Sequence, residues 1–433
     1  MQYILVKNYR TANNGLIICN TFSKDNKQSL TYSVLYNMKK RTIVALPGDG
    51  IGRTVLNETI RVLDQAGFSA EYVEGDIGWE FWKKEGNPLP DRTIELLKKH
   101  KIGLFGAITS KPKDEAVEEL DPSFRDKGLI YSSPIVGLRQ HFNLDICIRP
   151  CRTYKGNPLN FIRRGKNNDI EEPLVDVTIF RQNTEGLYGG VEWSNPPEEV
   201  YNALLTHPRF VKNFGQTPKE ELSISTRIFT RKATERILRA AFSYAEKYGY
   251  KSVTVCEKPN VIRETSGMMY KLAQEIQRSD YPGIELWNTN IDAQMMWLTK
   301  NPENYGVIVA GNMFGDIVSD GFAGLIGGLG FACSANIGEE VAVFEPTHGS
   351  APKYANYETS IVNPIAMIES ACMMLDHIGE NAIAARIRKS VAMVIEEGKV
   401  KTYDMMKMTG KPDVCEKGAA SSSQMADAII AKL

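Results

Sequence analysis

Histidine is scarce in this chain, with five in 433 residues, and the five are dispersed. The seven cysteines (Cys19, Cys147, Cys151, Cys256, Cys333, Cys372 and Cys415) are odd in number, and no two are spaced as C-x-x-C. A zinc site built from Cys and His therefore lacks its ligand pairs, and scattered thiols read as reduced rather than as a disulfide frame. No apolar run is long enough to span a bilayer. Neither sign of charge prevails, because 52 basic side chains stand against 52 acidic ones. Such a balance gives no reason to expect nucleic acid or a membrane as partner. Internal repeats and low-complexity tracts are missing too. What is present is ordinary globular composition, 42% apolar and 24% charged, at a length that suits two domains.

The first 41 residues stand apart, with one acid, Asp25, against Lys7, Arg10, Lys24, Lys27, Lys39, Lys40 and Arg41. Poverty in acid suits a mitochondrial transit peptide, but such peptides carry arginine where this segment carries Asn and Lys. Residues 1–40 are read as an extension that its composition allows to be disordered, with Met38 offering a second start, and the protein as cytoplasmic.

Residues 44–52 read VALPGDGIG. A Rossmann turn requires Gly-x-Gly-x-x-Gly. Counting from Gly48 and Gly50 the last place is Arg53, and from Gly50 and Gly52 it is Val55, so neither register completes. Glu74 lies at the distance of a ribose-binding acid, a spacing common by chance. Strand, tight turn and helix survive: TIVAL, PGDGIG, then RTVLNETIRVLDQAG. AEYVEGD, RTIELLKKH and KIGLFGAI continue the alternation, which predicts an α/β fold with a largely parallel sheet. DICIRPC, VDVTIF and YGGVEW then read as strands, and the Pro-, Asn- and charge-rich stretch 194–222 as an inserted arm. Helices over 231–248 and 266–278 alternate with the strands KSVTVCEK, GIELWN and YGVIVAG, before helices over 363–378 and 380–397.

Three groups of residues offer chemistry. Asp316 and Asp320 are four apart in GNMFGDIVSDGFAGLIGGLG, so a helix would hold their Cβ atoms about 5–6 Å apart on one face. Alone, the spacing favours a solvated acidic face. Its apolar setting directly after a strand favours an all-oxygen site for Mg²⁺ or Mn²⁺. Arg139, Arg149 and Arg181 lie beside predicted strands, and guanidinium forks suit carboxylates; singly, each reads as structural. Lys258 ends the strand SVTVC and Tyr188 sits in NTEGLYGG, both of residue types able to exchange protons.

The blocks LPGDGIG, LRQHFNLDICIRPCR, IFRQNTEGLYGGVEW, Lys258-x-Asn260-Val261, NMFGDIVSD, EPTHGSAPKYA and VNP run in order from about Lys40 to the end. In them the chain resembles the β-decarboxylating dehydrogenases of isocitrate, 3-isopropylmalate and homoisocitrate. The resemblance implies the α/β fold of that family, which is not a Rossmann fold. It divides into a large α/β domain (41–145 and 327–433), a small α/β domain (146–185 and 227–326) and a clasp arm for dimerisation (186–226). It implies that Arg139, Arg149 and Arg181 grip a malate-type acid and that Ser133 meets the variable arm of isocitrate. Asp316 and Asp320 would bind Mg²⁺ or Mn²⁺ together with Asp292 from the partner subunit of a homodimer. Lys258, also donated across the dimer, and Tyr188 would be catalytic. Thr109, His348, Gly349 and Asn363 match cofactor contacts, while Lys353, Tyr354, Tyr403 and Lys407 match relatives that use NADP. Ser133 and the NADP set favour isocitrate. Ile135 and Phe105, apolar where isocitrate enzymes place polar groups, leave homoisocitrate and 3-isopropylmalate as alternatives. A non-catalytic regulatory subunit is the remaining reading, and the presence of all five metal and proton-transfer residues speaks against it.

Overall fold

The apolar run before the glycine turn forms strand β1 (Arg41–Gly48), and the amphipathic stretch after it forms helix α1 (Gly52–Gln65), which buries Val55, Leu56, Val62 and Leu63. The turn tolerates no side chains. Gly48 and Gly50 have φ of 66° and 55°, and a Cβ on either would stand 1.9 Å from the Ala107 carbonyl oxygen or 2.1 Å from that of Ser350.

The computed structural model describes residues 16–18, 34–36 and 41–433. Most of the expected extension, and Cys19 with it, lies outside the described residues; Leu16–Ile18 pairs antiparallel with Val34–Tyr36. β1 belongs to a ten-stranded sheet whose other members are β2 (Ala70–Glu74), β3 (Ile102–Ala107), β4 (Ile146–Arg152), β5 (Asp176–Gln182), β6 (Ser252–Glu257), β7 (Glu285–Asn290), β8 (Val307–Ala310), β9 (Cys333–Ile337) and β10 (Ala342–Pro346). Their order is β7-β6-β8-β5-β4-β9-β10-β3-β1-β2. The first four are mutually parallel, as are the last four. Between them β4 and β9 run antiparallel to each other and to their outer neighbours. The two parallel blocks consequently point in opposite directions.

Helices α2 (Pro134–His141), α3 (Arg231–Tyr248), α4 (Thr265–Asp280), α5 (Ile291–Lys300), α6 (Asn312–Leu325) and α7 (Ile365–His377) flank the sheet. α3 shows the local logic: the Thr230 hydroxyl accepts from Ala233 N, Gly249 closes the helix in the left-handed region, and Ile237, Leu238, Ala241 and Phe242 face the sheet. YGGVEW is not a strand throughout. Gly186 and Gly190 adopt positive φ, so Leu187–Gly189 is a 3₁₀ turn, and only Glu192–Ser194 is extended, paired with Ser223–Ser225. Two short helices, Glu198–Leu205 and Pro208–Phe214, fill the excursion between those strands.

Alternation along β4 sends Cys147, Arg149 and Cys151 to one face of the sheet and Ile146, Ile148 and Pro150 to the other. The second set lines a cavity of about 550 Å³ between α3 and α7, which the arginine face does not share. Among the described residues no helix is long and apolar enough to cross a membrane.

Candidate active site

In the antiparallel ladder of β4 and β5, Arg181 opposes Cys147 and Ile179 opposes Arg149. Opposed residues share a face, so both arginines emerge together, Arg149 8% and Arg181 4% exposed. Arg139 reaches this face from the last turn of α2 rather than from a strand. Its Nε donates to Asn336 Oδ1 at 3.1 Å and its Nη2 to Glu345 Oε1 at 3.0 Å. Burial first, then the neighbouring Arg149 charge, push Arg181 down to about 10. Arg149 moves the other way: burial opposes its charge, but the negative charges around it, Asp316 and Asp320 among them, outweigh this and lift it above its ordinary value. Both guanidiniums stay charged at neutral pH and present forks suited to a polyanionic ligand.

The acids come from α6, which starts directly after β8 and lies against β5. Asp316 accepts from Arg181 Nη1, and Arg149 Nη1 lies 3.2 Å from Asp316 Oδ1, 3.3 Å from Asp320 Oδ1 and 2.7 Å from Ser319 Oγ. The close approach requires Gly315, because a Cβ there would stand 2.7 Å from Arg181 Cβ. Burial pushes the Asp320 carboxyl above its ordinary range; Arg149 opposes this and Asp316 adds to it. Tyr188 lies in the 3₁₀ turn with Arg181 5.8 Å from its ring. It is half-exposed, and burial followed by the Asp316 charge raises its hydroxyl above the usual value, so it keeps its proton at neutral pH.

Lys258 and Asp292 stand apart from this group. Lys258, just past β6, forms an ion pair with Asp292 in the first turn of α5, whose side chain is 67% exposed. Among the described residues neither pairs with the three arginines or with Asp316 and Asp320, and no three His, Cys, Asp or Glu side chains converge as a metal-holding group. Ser133 precedes α2 and makes no capping bond. Ile135, two residues on, is buried in one apolar cluster with Phe105. Glu74 is no ribose acid here, since it is held on the surface by Arg53 at 2.6 and 2.9 Å.

The loops after β1, β3 and β10 meet at the glycine turn. Asp49 accepts from Thr109 N at 2.8 Å and from Trp79 N at 2.7 Å, and the Thr109 and Ser350 hydroxyls are 2.6 Å apart. In the loop leading to Ser350, beside the exposed Gly349, the Nε2 of His348 is buried without a partner among the described residues; burial holds its imidazole below the ordinary value. Lys353 Nζ lies 4.7 Å from the Tyr354 ring, which is 5.6 Å from Tyr403. Asn363 Nδ2 donates to Asp404 Oδ2 at 3.2 Å, and the exposed Lys407 closes the same turn through its N–H to Asp404 O.

A sequence model described as isocitrate/isopropylmalate dehydrogenase matches residues 42–429. The chain belongs to this family. It is 39% identical over 361 residues to the homoisocitrate dehydrogenase of Methanocaldococcus jannaschii, covering 83% of this chain and 91% of that one. It is 37% identical over 390 residues to the protein DlpA of Legionella pneumophila, covering 90% of this chain but only 58% of DlpA's length. Among solved structures, the isocitrate dehydrogenase of Methylococcus capsulatus superposes with a TM-score of 0.73 at 34% identity, covering 90% of this chain and 99% of the other.

Isocitrate/isopropylmalate dehydrogenases depend on NAD(P) and a divalent metal, and the residues present fit both. Asp316 and Asp320 offer oxygen ligands one helical turn apart, beside the paired arginines Arg149 and Arg181. The orphaned His348 Nε2 is a polar atom awaiting a partner at the mouth of the loops. Asn312, Ser319, Asn336, Glu345, Asp49 and Ser350 complete the surroundings, and sequence reasoning assigned none of them a role. For Asn312 and Ser319 the signal lay in plain view, inside GNMFGDIVSD.

Proposed function

We propose that this chain catalyses the oxidative decarboxylation of isocitrate to 2-oxoglutarate and CO₂ with reduction of NADP, as a homodimer with shared active sites. The observation that carries the reading is the convergence of Arg139, Arg149 and Arg181 on one sheet face beside Asp316 and Asp320, with Tyr188 at the edge. Lys258 and Asp292 sit elsewhere on the chain, the lysine half-buried and the aspartate exposed, which suits service to a second copy. In this reading 41–145 with 327–433 form the large domain and 146–185 with 227–326 the small one. The clasp is 186–226, whose exposed Val191, Val211 and Phe214 supply apolar surface for the dimer.

The three arginines bind and orient the carboxylates, and Ser133 meets the remaining arm. A divalent cation held by Asp316 and Asp320 would supply Lewis-acid polarisation of the substrate hydroxyl, and a bound nicotinamide would supply the hydride acceptor. The partner subunit's Lys258 takes the hydroxyl proton at Nζ, and the partner's Asp292 joins Asp316 and Asp320 as a ligand. Tyr188 Oη returns a proton to the carbon that loses CO₂. Thr109, His348, Gly349 and Asn363 hold the cofactor. Lys353 and Lys407, with Tyr354 and Tyr403 between them, favour a 2′-phosphate over a free ribose diol.

The buried apolar pair Phe105 and Ile135 favours homoisocitrate or 3-isopropylmalate as second reading. Side-by-side assay of the purified chain with Mn²⁺ and NADP on the three acids decides. The highest kcat/KM is expected on isocitrate, a higher value on another acid reassigns the substrate, and no turnover on any of them overturns the catalytic reading in favour of a regulatory subunit.

A further inference from the structure

Strand β6 ends at Glu257, one residue before Lys258, and the Glu257 side chain is completely buried. A carboxylate withdrawn from water persists only where charge and hydrogen bonds replace its hydration. Here three donors do so. Oε2 accepts from Arg227 Nη2 at 2.8 Å and from Ser266 Oγ at 2.5 Å, while Oε1 accepts from Gly311 N at 2.8 Å. Arg227 is itself fixed, its guanidinium 4.6 and 4.9 Å from the Phe229 and Phe314 rings and its Nη1 donating to Thr265 and Ser266 at 3.0 and 2.9 Å.

The two oxygens lead to different places. On the Oε2 side, Ser266 Oγ also receives the backbone N–H of Lys258 at 3.4 Å, which ties the carboxylate to the lysine's main chain. Through Oε1 it holds the residue ahead of α6. The next residue, Asn312, accepts from Arg181 Nε at 2.9 Å, and one turn further stands Asp316. Glycine at 311 leaves room for this contact, since a Cβ there would stand 2.5 Å from Phe229 Cζ and 2.7 Å from Glu257 Oε1 and would push one of them aside.

We propose that Glu257 is a positioning residue whose single buried carboxylate sets both Lys258 and the start of α6, and thereby joins the two active sites of the dimer. The inference rests on the shared-site reading: Lys258 serves the partner's centre, whereas Asp316 and Arg181 serve the chain's own. Glu257→Gln keeps the shape and turns an amide NH₂ toward the Gly311 N–H or toward Arg227 Nη2, donor against donor, so at least one tie fails.

Hybrid dimers purified through two different tags test this. A Lys258→Ala chain paired with an Asp316→Asn chain retains one intact centre, made from Asp316 of the first and Lys258 of the second. Turnover of isocitrate with Mn²⁺ and NADP in this hybrid establishes sharing; its absence from an assembled hybrid overturns the shared-site reading itself. Glu257→Gln is then added to one chain at a time. In the lysine-supplying chain it lowers kcat roughly tenfold or more with KM held, and in the aspartate-supplying chain it raises the KM for isocitrate by a similar factor. If either placement leaves the kinetics within about twofold of the parent hybrid, the carboxylate does not join the two centres. Should Glu257→Gln chains fail to assemble, Ser266→Ala decides. It lowers kcat from the lysine-supplying chain alone, and an equal effect from both chains, or none, overturns the proposal.

Discussion

Asp316 is held by Arg149 and Arg181, and is also one of the carboxylates that meets a cation in the proposed reaction. Asp316→Asn preserves shape and removes the charge that both partnerships use. Turnover with Mn²⁺ falls by at least about a hundredfold, while the dimer persists because Arg149 keeps Ser319 and Asp320; stopped-flow assay with sedimentation checks both. On the cofactor side, Lys353→Asp with Tyr354→Ile removes a cation and places an acid where a 2′-phosphate would lie. The ratio of kcat/KM for NADP over NAD then drops by roughly ten- to a hundredfold, the scale of a lost charge-assisted contact, and unchanged discrimination would withdraw these two residues from the cofactor site. The charged residues were legible because few residue types offer a carboxylate or a guanidinium. Asn336 and Glu345 were not, since their place beside Arg139 follows from the register of β9 against β4 and β10, which local sequence does not encode.

The unit of β1, turn and α1 was readable as an element because three glycines in five positions mark a tight turn that other side chains cannot enter. The same crowding makes it fragile. Gly50→Ala would force a Cβ to 2.1 Å from the Ser350 carbonyl at φ of 55°, so urea unfolding should show a loss of at least about 2 kcal/mol. Strands β9 and β10 escaped the pattern for the opposite reason. CSANI does alternate, but over five residues only and with a polar set, Ser334 and Asn336, that is buried in a polar network instead of facing solvent, so the pattern is too short and too weakly apolar to mark a strand. In YGGVEW, alternation was visible but the positive φ of Gly190, and of Gly186 just before the stretch, overrode it. The arm between Glu192 and Ser225 was legible only by composition, and its two short helices were not foreseen.

At the scale of the whole molecule, the site keeps to the carboxyl ends of the parallel strands, where an open α/β sheet usually binds its ligand: Arg181 stands near the end of β5, α6 with Asp316 and Asp320 follows β8, and Lys258 follows β6. The antiparallel middle strands add Arg149 from β4 and Asn336 from β9. The proposed metal binding there would be measurable without catalysis. Mn²⁺ at about a hundred times its Kd adds roughly 2.7 kcal/mol to a folded state that alone binds it, visible as an upward shift in Tm. Asp316→Asn should abolish that shift, and a shift that survives would place the ion elsewhere. The ion pair of Lys258 with Asp292, set apart from the arginines, carries a last consequence for the proposed dimer. If each chain holds half of two centres, the rate per chain is not a constant: once dilution passes the dissociation constant of the pair, specific activity declines in proportion to concentration, and protein abundance itself becomes a control on flux.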